Sequence, residues 1–214
     1  MRDLRICFVG DSYVNGTGDE RCLGWIGRLC ERRFTRDFQL SFYDLGIRGE
    51  TISQVRARWR RDCEARFPEG ADNRVVLQFG INDIGNITGT GRQVEEDASV
   101  EEAEAFVREV ADAYPTLWVG LPPANEACSP MHPSEGLEVS FFQKDAEALN
   151  ARFKTLAETL DVPYFDLQTP LLANRDYMAS LTRGDRMHCD GTGYAMIANL
   201  IDNWPAWNAW FEDQ

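Results

Sequence analysis

Short apolar segments alternate with amphipathic segments along the whole chain, and this alternation constrains the fold more than any other feature. The apolar segments have the length of buried strands and are too short for buried helices. They comprise residues 4–9, 40–45, 74–79, 117–121 and 163–167. Apolar strands separated by helices are typical of a parallel sheet covered on both faces. We therefore predict an α/β protein, a three-layer α/β/α sandwich around a five-stranded parallel sheet.

The intervening segments carry apolar residues at helical spacing. The predicted helices cover residues 23–35, 52–67, 94–113 and 140–160, with a last helix after Gly191. In the 140–160 helix the apolar residues recur at three- and four-residue steps, and Ser140 is its expected N-cap. Because the chain has no internal repeat, low-complexity tract or linker, residues 1–214 are expected to form a single domain.

Charge and composition exclude several classes of partner. The net charge of −13 argues against nucleic acid and against anionic membranes, since both require a clustered basic surface. The one basic cluster is interpreted as a solvated helix face; it comprises Arg56, Arg58, Arg60, Arg61 and Arg66. No apolar run is long enough to insert into a membrane. Without a signal peptide at its start or a CxxC pair among its six cysteines, the chain is expected to be cytoplasmic, with reduced thiols.

Polar motifs occur at the points where ligands bind α/β sheets, beyond the carboxyl ends of the strands. Three of them follow the first three predicted strands: Gly10-Asp11-Ser12, residues 46–51 (GIRGET), and residues 79–83 (FGIND). A fourth, residues 185–191 (DRMHCDG), precedes the last helix. These positions predict that the four motifs meet at one edge of the sheet.

The residue types in these motifs suit acyl transfer. A serine hydroxyl needs a base beside it, and that base needs a third group to orient it. The chain has only two histidines, and His188 lies three residues after Asp185, so that both side chains can share one side of a turn. Ser12, His188 and Asp185 are therefore the predicted catalytic residues. The backbone N–H of Gly49 and the side-chain amide of Asn82 are suitable donors to an oxyanion.

Together the four motifs resemble those of the SGNH hydrolases, also called the GDSL esterase/lipase family. The resemblance spans almost the whole chain and implies a flavodoxin-like SGNH hydrolase fold. It also implies that Ser12 is the nucleophile, that Asp185 and His188 complete a triad, and that Ser12, Gly49 and Asn82 form the oxyanion hole. Two departures stand out. Tyr13 replaces the family's leucine and is interpreted as a change of packing. Asp44 stands two residues before Gly46, where many members have asparagine, and this leaves Gly46 as a rival to Gly49 for the role of oxyanion donor.

The resemblance implies a metal-independent serine esterase without a cofactor, whose partner is a small-molecule acyl ester. It allows carboxylic esters, thioesters, lysophospholipids and acetylated sugars. A small ester is favoured, because no long hydrophobic lid is visible. Asp11, Asp83 and His132 are expected to contact the substrate. The loops at residues 85–92 and 122–137 are expected to decide acyl length and leaving group.

Two other functions remain open from the sequence alone. The glycine-rich stretch at residues 10–18 (GDSYVNGTG) follows a strand, as in flavodoxin-like or nucleotide-binding modules, although it lacks the phosphate-loop register. A catalytically silent member that binds an acylated ligand is the other alternative. An aromatic C-terminal segment either packs on the protein's own helices or forms a homo-oligomer contact; it comprises Trp204, Trp207, Trp210 and Phe211.

Overall fold

The computed structural model describes residues 2–212 and is built on a central five-stranded parallel sheet. Its strands are β1 (Asp3–Gly10), β2 (Gln39–Gly46), β3 (Asp72–Gln78), β6 (Thr116–Val119) and β9 (Tyr164–Phe165), in the spatial order β2-β1-β3-β6-β9. All four pairings are parallel. The predicted fold class is confirmed, and each of the five predicted strands is present.

The register of this sheet brings the polar motifs together. Gly10, the last residue of β1, pairs with Gly46 of β2 on one side and with Gln78 of β3 on the other. The residues that follow these three strands therefore emerge side by side at the carboxyl edge. Because β1 is the central strand of the three and is buried along most of its length, Ser12 starts from a rigid support.

Helices cover both faces of the sheet. α3 (Ile52–Glu64), α4 (Glu96–Ala111) and α5 (Gln143–Thr159) pack in sequence on one another, and α2 (Gly24–Arg33) packs against α8 (Gly191–Asp202), which also contacts α7 (Arg175–Arg183). The right-handed crossovers of parallel strands place these two groups on opposite faces. Three short helices complete the set: α1 (Ser12–Asn15), α6 (Gln168–Leu172) and α9 (Pro205–Asn208).

A second, antiparallel sheet was not predicted. Its strands are β4 (Asn86–Ile87), β5 (Gly91–Arg92), β7 (Met131–Ser134) and β8 (Leu137–Ser140), in the order β5-β4-β8-β7. Both segments expected to be loops thus contribute strands, and the first of them pairs through β4 with residues 139 and 140, which lie just beyond the second. Ser140 is not the N-cap of α5, because it ends β8 and pairs with Asn86; α5 begins three residues later and its N-cap is Phe142.

The aromatic C-terminal segment packs inside the molecule. Trp207 is fully buried, with its ring 6.1 Å from that of Phe8 and 5.8 Å from that of Phe42. The guanidinium of Arg33 lies 4.8 Å from the ring centroid of Phe211. Much of this aromatic surface is therefore used in intramolecular packing. Within residues 2–212, no helix is both long and apolar enough to cross a membrane.

Candidate active site

Ser12 lies at the turn between β1 and α1 and is held there by its neighbour. The carboxylate of Asp11, the N-cap of α1, accepts a hydrogen bond from the backbone N–H of Tyr13 at 3.0 Å. Ser12 is the first residue of the helix, where backbone N–H groups have no intrahelical acceptor. The residue is 2 % exposed.

Three side chains form an unbroken hydrogen-bonded chain. Nε2 of His188 lies 2.7 Å from Oγ of Ser12, and Nδ1 of His188 lies 2.8 Å from Oδ2 of Asp185. Ser12 and His188 are both almost completely buried, so few water molecules compete for these contacts. In this geometry an imidazole can accept the serine proton while a carboxylate fixes its tautomer.

The carboxylate of Asp185 also shapes the turn that carries His188. Its Oδ1 accepts from the backbone N–H groups of Met187 at 3.0 Å and of His188 at 2.6 Å. Burial raises the pKa of Asp185, but hydrogen bonds and attraction from His188 outweigh it, and the pKa lies below its usual value. The carboxylate therefore stays ionised at neutral pH, as the partner of an imidazolium must.

The structure distinguishes between the two glycines that were rival oxyanion donors. The N–H of Gly46 already donates to Oδ1 of Asp44 at 2.9 Å, and a Cβ at Gly46 would lie 2.2 Å from the backbone nitrogen of Asn15. Gly49 has a φ of +79°, which favours glycine, and a Cβ there would meet nothing within 4 Å. Gly49 therefore faces open space with its N–H uncommitted within residues 2–212, whereas Gly46 serves close packing.

Asn82 is oriented by a backbone contact. Its Nδ2 donates to the carbonyl oxygen of Glu50 at 2.9 Å, which uses one of the two amide N–H groups. Arg58 fixes that segment, since it donates to the Glu50 carboxylate at 2.7 Å and to the carbonyl oxygen of Gly10 at 2.9 Å. The interpretation of the basic cluster as a solvated face is thus wrong for Arg58, which is buried.

Asp11 and Asp83 are buried and do not line the active-site cavities. Oδ2 of Asp83 accepts from the N–H of Ile52 at 3.1 Å, which ties the third motif to the start of α3. Burial raises the pKa of Asp11 to about 7 and that of Asp83 to about 7. His132 is exposed on β7 and does not line these cavities either, although its neighbours Met131 and Pro133 do. Direct contact of these three with substrate therefore finds no support in the geometry.

Two cavities of unequal size meet at Ser12 and His188. We call the first, of about 10 Å³, the narrow cavity; besides these two residues it is lined by Tyr13, Ile81, Pro123, Ala124, Asn125, Met131, Phe141 and Met187. We call the second, of about 470 Å³, the wide cavity; besides the same two residues it is lined by Arg48, Gly49, Asn82, Gln93, Pro133, Leu137, Val139, Phe141 and Met187. The narrow cavity has about the space of one water molecule, which is also about that of a methyl group.

Tyr13 is a site residue whose role the sequence interpretation missed. Its hydroxyl donates to the carbonyl oxygen of Met187 at 3.1 Å, and its ring centroid lies 5.3 Å from that of His188. Tyr13 thereby ties the serine turn to the histidine turn. The sequence contained a sign of this role, because an aromatic residue directly after the predicted nucleophile must pack near the base that contacts the nucleophile.

The glycine-rich stretch serves packing. Gly16 ends α1 with a φ of +70°, and a Cβ there would lie 2.5 Å from the Cα of Gly24, at the start of α2. Gly18 lies against the histidine turn, where a Cβ would come within 3.1 Å of the Cβ of His188. These glycines bring α2 and the histidine turn close to the serine, which accounts for them without a phosphate.

Comparison with known proteins agrees with this arrangement. The model of the GDSL-like Lipase/Acylhydrolase family matches residues 8–196. A search of curated proteins finds no match to the chain. Among solved structures, a lipase/acylhydrolase from Enterococcus faecalis has a TM-score of 0.71 at 19% identity, covering 94% of this chain and 93% of its own.

Two further solved structures have the same fold. An acetylxylan esterase from Geobacillus stearothermophilus has a TM-score of 0.70 at 18% identity, covering 100% of this chain and 96% of its own. An esterase from Pseudoalteromonas sp. has a TM-score of 0.67 at 16% identity, covering 99% of this chain and 100% of its own. The fold and the four motifs define an ester-bond hydrolase of the SGNH type. The chain belongs to the GDSL-like lipase/acylhydrolase family.

Proposed function

We propose that this protein is a serine esterase that works through a covalent acyl-enzyme, with Ser12 as nucleophile. The observation that carries the proposal is the hydrogen-bonded chain from Ser12 Oγ through His188 to Asp185, with distances of 2.7 Å and 2.8 Å. Ser12, Gly49 and Asn82 line the same cavity, and the backbone N–H groups of the first two and the second side-chain N–H of Asn82 are the proposed oxyanion donors.

The reaction follows from these positions. Ser12 Oγ attacks the ester carbonyl carbon while Nε2 of His188 takes its proton, and the resulting oxyanion is stabilised by the three N–H donors. Collapse of the tetrahedral intermediate breaks the bond to the alcohol oxygen, which leaves with the proton from Nε2. A water molecule then repeats the attack on the acyl-enzyme, releasing the carboxylic acid and restoring Ser12. Asp185 stabilises the imidazolium that forms in both halves.

The unequal cavities favour a short acyl group. We assign the narrow cavity to the acyl chain, because its lining is mostly apolar and its volume of about 10 Å³ admits little more than the methyl of an acetyl group. The alcohol part then occupies the wide cavity of about 470 Å³. The solved acetylxylan esterase of similar fold supports the same choice. Acetyl esters of larger alcohols, such as acetylated sugars, are therefore the proposed substrates.

An acyl-length series tests this proposal. Wild type and Ser12→Ala are assayed on p-nitrophenyl acetate, butyrate and octanoate, together with methyl octanoate. We expect acetate to be preferred by wild type and all turnover to disappear in Ser12→Ala. Equal rates in both proteins would remove Ser12 as nucleophile. A preference for methyl octanoate would reverse the assignment of the two cavities, because the methoxy group would then occupy the narrow one.

The active protein is also proposed to reside in the reducing cytoplasm. All six cysteines are free, and three of them, Cys7, Cys63 and Cys189, are fully buried in the core. Fractionation of cells that produce the protein, followed by thiol labelling of the denatured chain, tests this placement. Six labelled thiols in the cytosolic fraction are the expected result.

A further inference from the structure

One charged side chain at the active site has no role in the proposed chemistry. Arg48 lies in the turn between β2 and α3, directly before Gly49. Its side chain is exposed and lines the wide cavity, together with Ser12 and Asn82. Within that lining it is the one permanently charged residue, since every other member is apolar, a neutral polar residue or His188.

The side chain of Arg48 also has no hydrogen bond or ion pair within residues 2–212, although the chain has a net charge of −13. Neighbouring arginines have carboxylate partners: Arg58 pairs with Glu50 and Asp62, and Arg92 with Glu96. Of the acids next to the site in sequence, Glu50 pairs with Arg58 and Asp185 with His188. Asp11 and Asp83 are buried, where they accept hydrogen bonds from backbone N–H groups. The guanidinium of Arg48 thus keeps its five N–H donors for a ligand.

We propose that Arg48 binds a carboxylate on the alcohol part of the substrate, so that the preferred substrates are acetyl esters of acidic alcohols. This inference rests on the proposed esterase function and adds the chemistry of the leaving alcohol. Because the proposed function assigns the acyl methyl to the narrow cavity of about 10 Å³, a charged group on the substrate belongs on the alcohol side, in the wide cavity. A planar guanidinium matches a carboxylate in a bidentate arrangement.

The chain offers a matched control for the charge itself. Arg36 is exposed like Arg48 and is likewise unpaired within the described residues, but it lies before the first residue of β2, whereas Arg48 follows its last. An eight-residue strand spans about 26 Å at ~3.3 Å per residue. Removing Arg36 therefore changes the net charge by the same amount at the opposite edge of the sheet.

The test compares two acetyl esters of equal size, para-acetoxybenzoate and para-acetoxybenzamide. The ratio of their kcat/KM values, each divided by the rate of its hydroxide-catalysed hydrolysis, measures selectivity for the carboxylate within one protein. We expect wild type and Arg36→Ala to favour the carboxylate about tenfold, a typical effect of one charge-assisted contact. The ratio should fall to about one in Arg48→Gln and below one in Arg48→Glu. Raising NaCl from about 20 mM to about 500 mM should reduce the wild-type ratio, because the contact is exposed to solvent.

A ratio of one in wild type, or the same ratio in wild type and Arg48→Gln, would overturn the inference. An equal loss in Arg36→Ala would do the same, because it would show an effect of net charge only. Calorimetry can test the carboxylate contact without turnover. It measures binding of the two esters to Ser12→Ala and to the double variant Ser12→Ala/Arg48→Gln. If wild type hydrolyses neither ester but Ser12→Ala binds the benzoate more tightly than the benzamide, the esterase proposal is refuted and the proposed Arg48 carboxylate site remains.

Discussion

Asp11 lies directly before the proposed nucleophile, and its buried carboxyl group should make the stability of the protein depend on pH. Burial first of all, and then the negative charges of Asp83 and Glu50, raise its pKa to about 7. In the unfolded chain an aspartate has a pKa near ~3.9. Between pH 5 and pH 7 the folded chain therefore keeps a proton that the unfolded chain has released, and the free energy of unfolding falls as the pH rises.

The size of this pH dependence follows from the difference between the folded and unfolded pKa values of Asp11. Each pH unit over which one extra proton is held corresponds to ~1.4 kcal/mol, and the proton is half released at pH 7, so Asp11 accounts for a loss of about 2 kcal/mol between pH 5 and pH 7. Asp83, whose pKa burial raises to about 7, adds a loss of the same sign. Asp72 and Asp185 act in the opposite direction; their pKa values are lowered because ionic hydrogen bonds outweigh burial. Their stabilisation is lost only as the pH falls below about 4, outside this window.

Asp11→Asn removes the titrating group and keeps its shape. The amide oxygen can still accept the N–H of Tyr13, and no charge has to be buried at high pH. We expect the variant to gain stability over wild type as the pH rises, with the difference in free energy of unfolding growing by about 3 kcal/mol between pH 5 and pH 8. Urea unfolding followed by tryptophan fluorescence measures this, as a midpoint difference of about 1 M for a slope of ~3 kcal/mol per M.

The control is Asp176→Asn, which changes an exposed carboxylate in the first turn of α7. Its unfolding curve should follow that of wild type across the whole pH range. If the difference between wild type and Asp11→Asn stays constant from pH 5 to pH 8, or if the variant is the less stable protein at pH 8, the argument from burial is refuted.

Three further predictions concern the proposed reaction. Asp185→Asn should lower kcat on the order of 10⁴-fold in a p-nitrophenyl acetate assay, because its amide N–H would face Nδ1 of His188 and move the ring proton to Nε2; a loss under tenfold would contradict this role. Asn82→Ala should lower kcat by about 10²–10³-fold with KM little changed, since the lost donor acts on the oxyanion; an effect confined to KM would argue against it. Phe141→Ala should raise the butyrate-to-acetate ratio of kcat/KM at least tenfold, because a butyryl group overpacks the wild-type narrow cavity at a cost of ~1–3 kcal/mol and the smaller side chain relieves that cost. Phe142→Ala, which lies outside both cavities, should leave the ratio unchanged.

The central sheet was predictable because its signals are local. Each strand is a short apolar run, and each run is followed by polar residues that a parallel arrangement must bring to one edge. The Asp185–His188 spacing is local too, and the structure places both side chains on one side of a turn. These features depend on neighbours in sequence, which the sequence displays directly.

The antiparallel sheet was not predictable for the opposite reason. β4 and β5 contain two residues each, and β7 carries a proline, so none of them has a strand pattern of its own. β4 pairs locally with β5, and β7 with β8, but these two pairs join into one sheet through β4 and β8, whose residues Asn86 and Ser140 are some 50 residues apart in sequence. The cavity walls depend on the same contacts, which is why the sequence favoured a small ester only on the absence of a lid and did not predict the shape of the two cavities.

The roles of Tyr13 and Arg58 escaped the sequence analysis for a related reason. Tyr13 reaches Met187 across a separation of 174 residues, and Arg58 reaches Gly10 across 48. A long polar or aromatic side chain reveals its residue type in the sequence, but not the distant backbone group to which it binds. Only the folded arrangement supplies that partner.

The distance along the chain between the two halves of the site has a consequence for how the protein is made. Ser12 and His188 are 176 residues apart in the sequence. Two hydrogen bonds connect α8 to the beginning of the chain: the Tyr194 hydroxyl donates to the carbonyl oxygen of Thr17, and the N–H of Gly191 donates to the carboxylate of Glu20. A chain still emerging from the ribosome therefore carries its serine without a base. Under the proposed mechanism, hydrolysis can begin only once the C-terminal segment has been synthesised and has docked on the first helices. The appearance of esterase activity would then report that folding is complete.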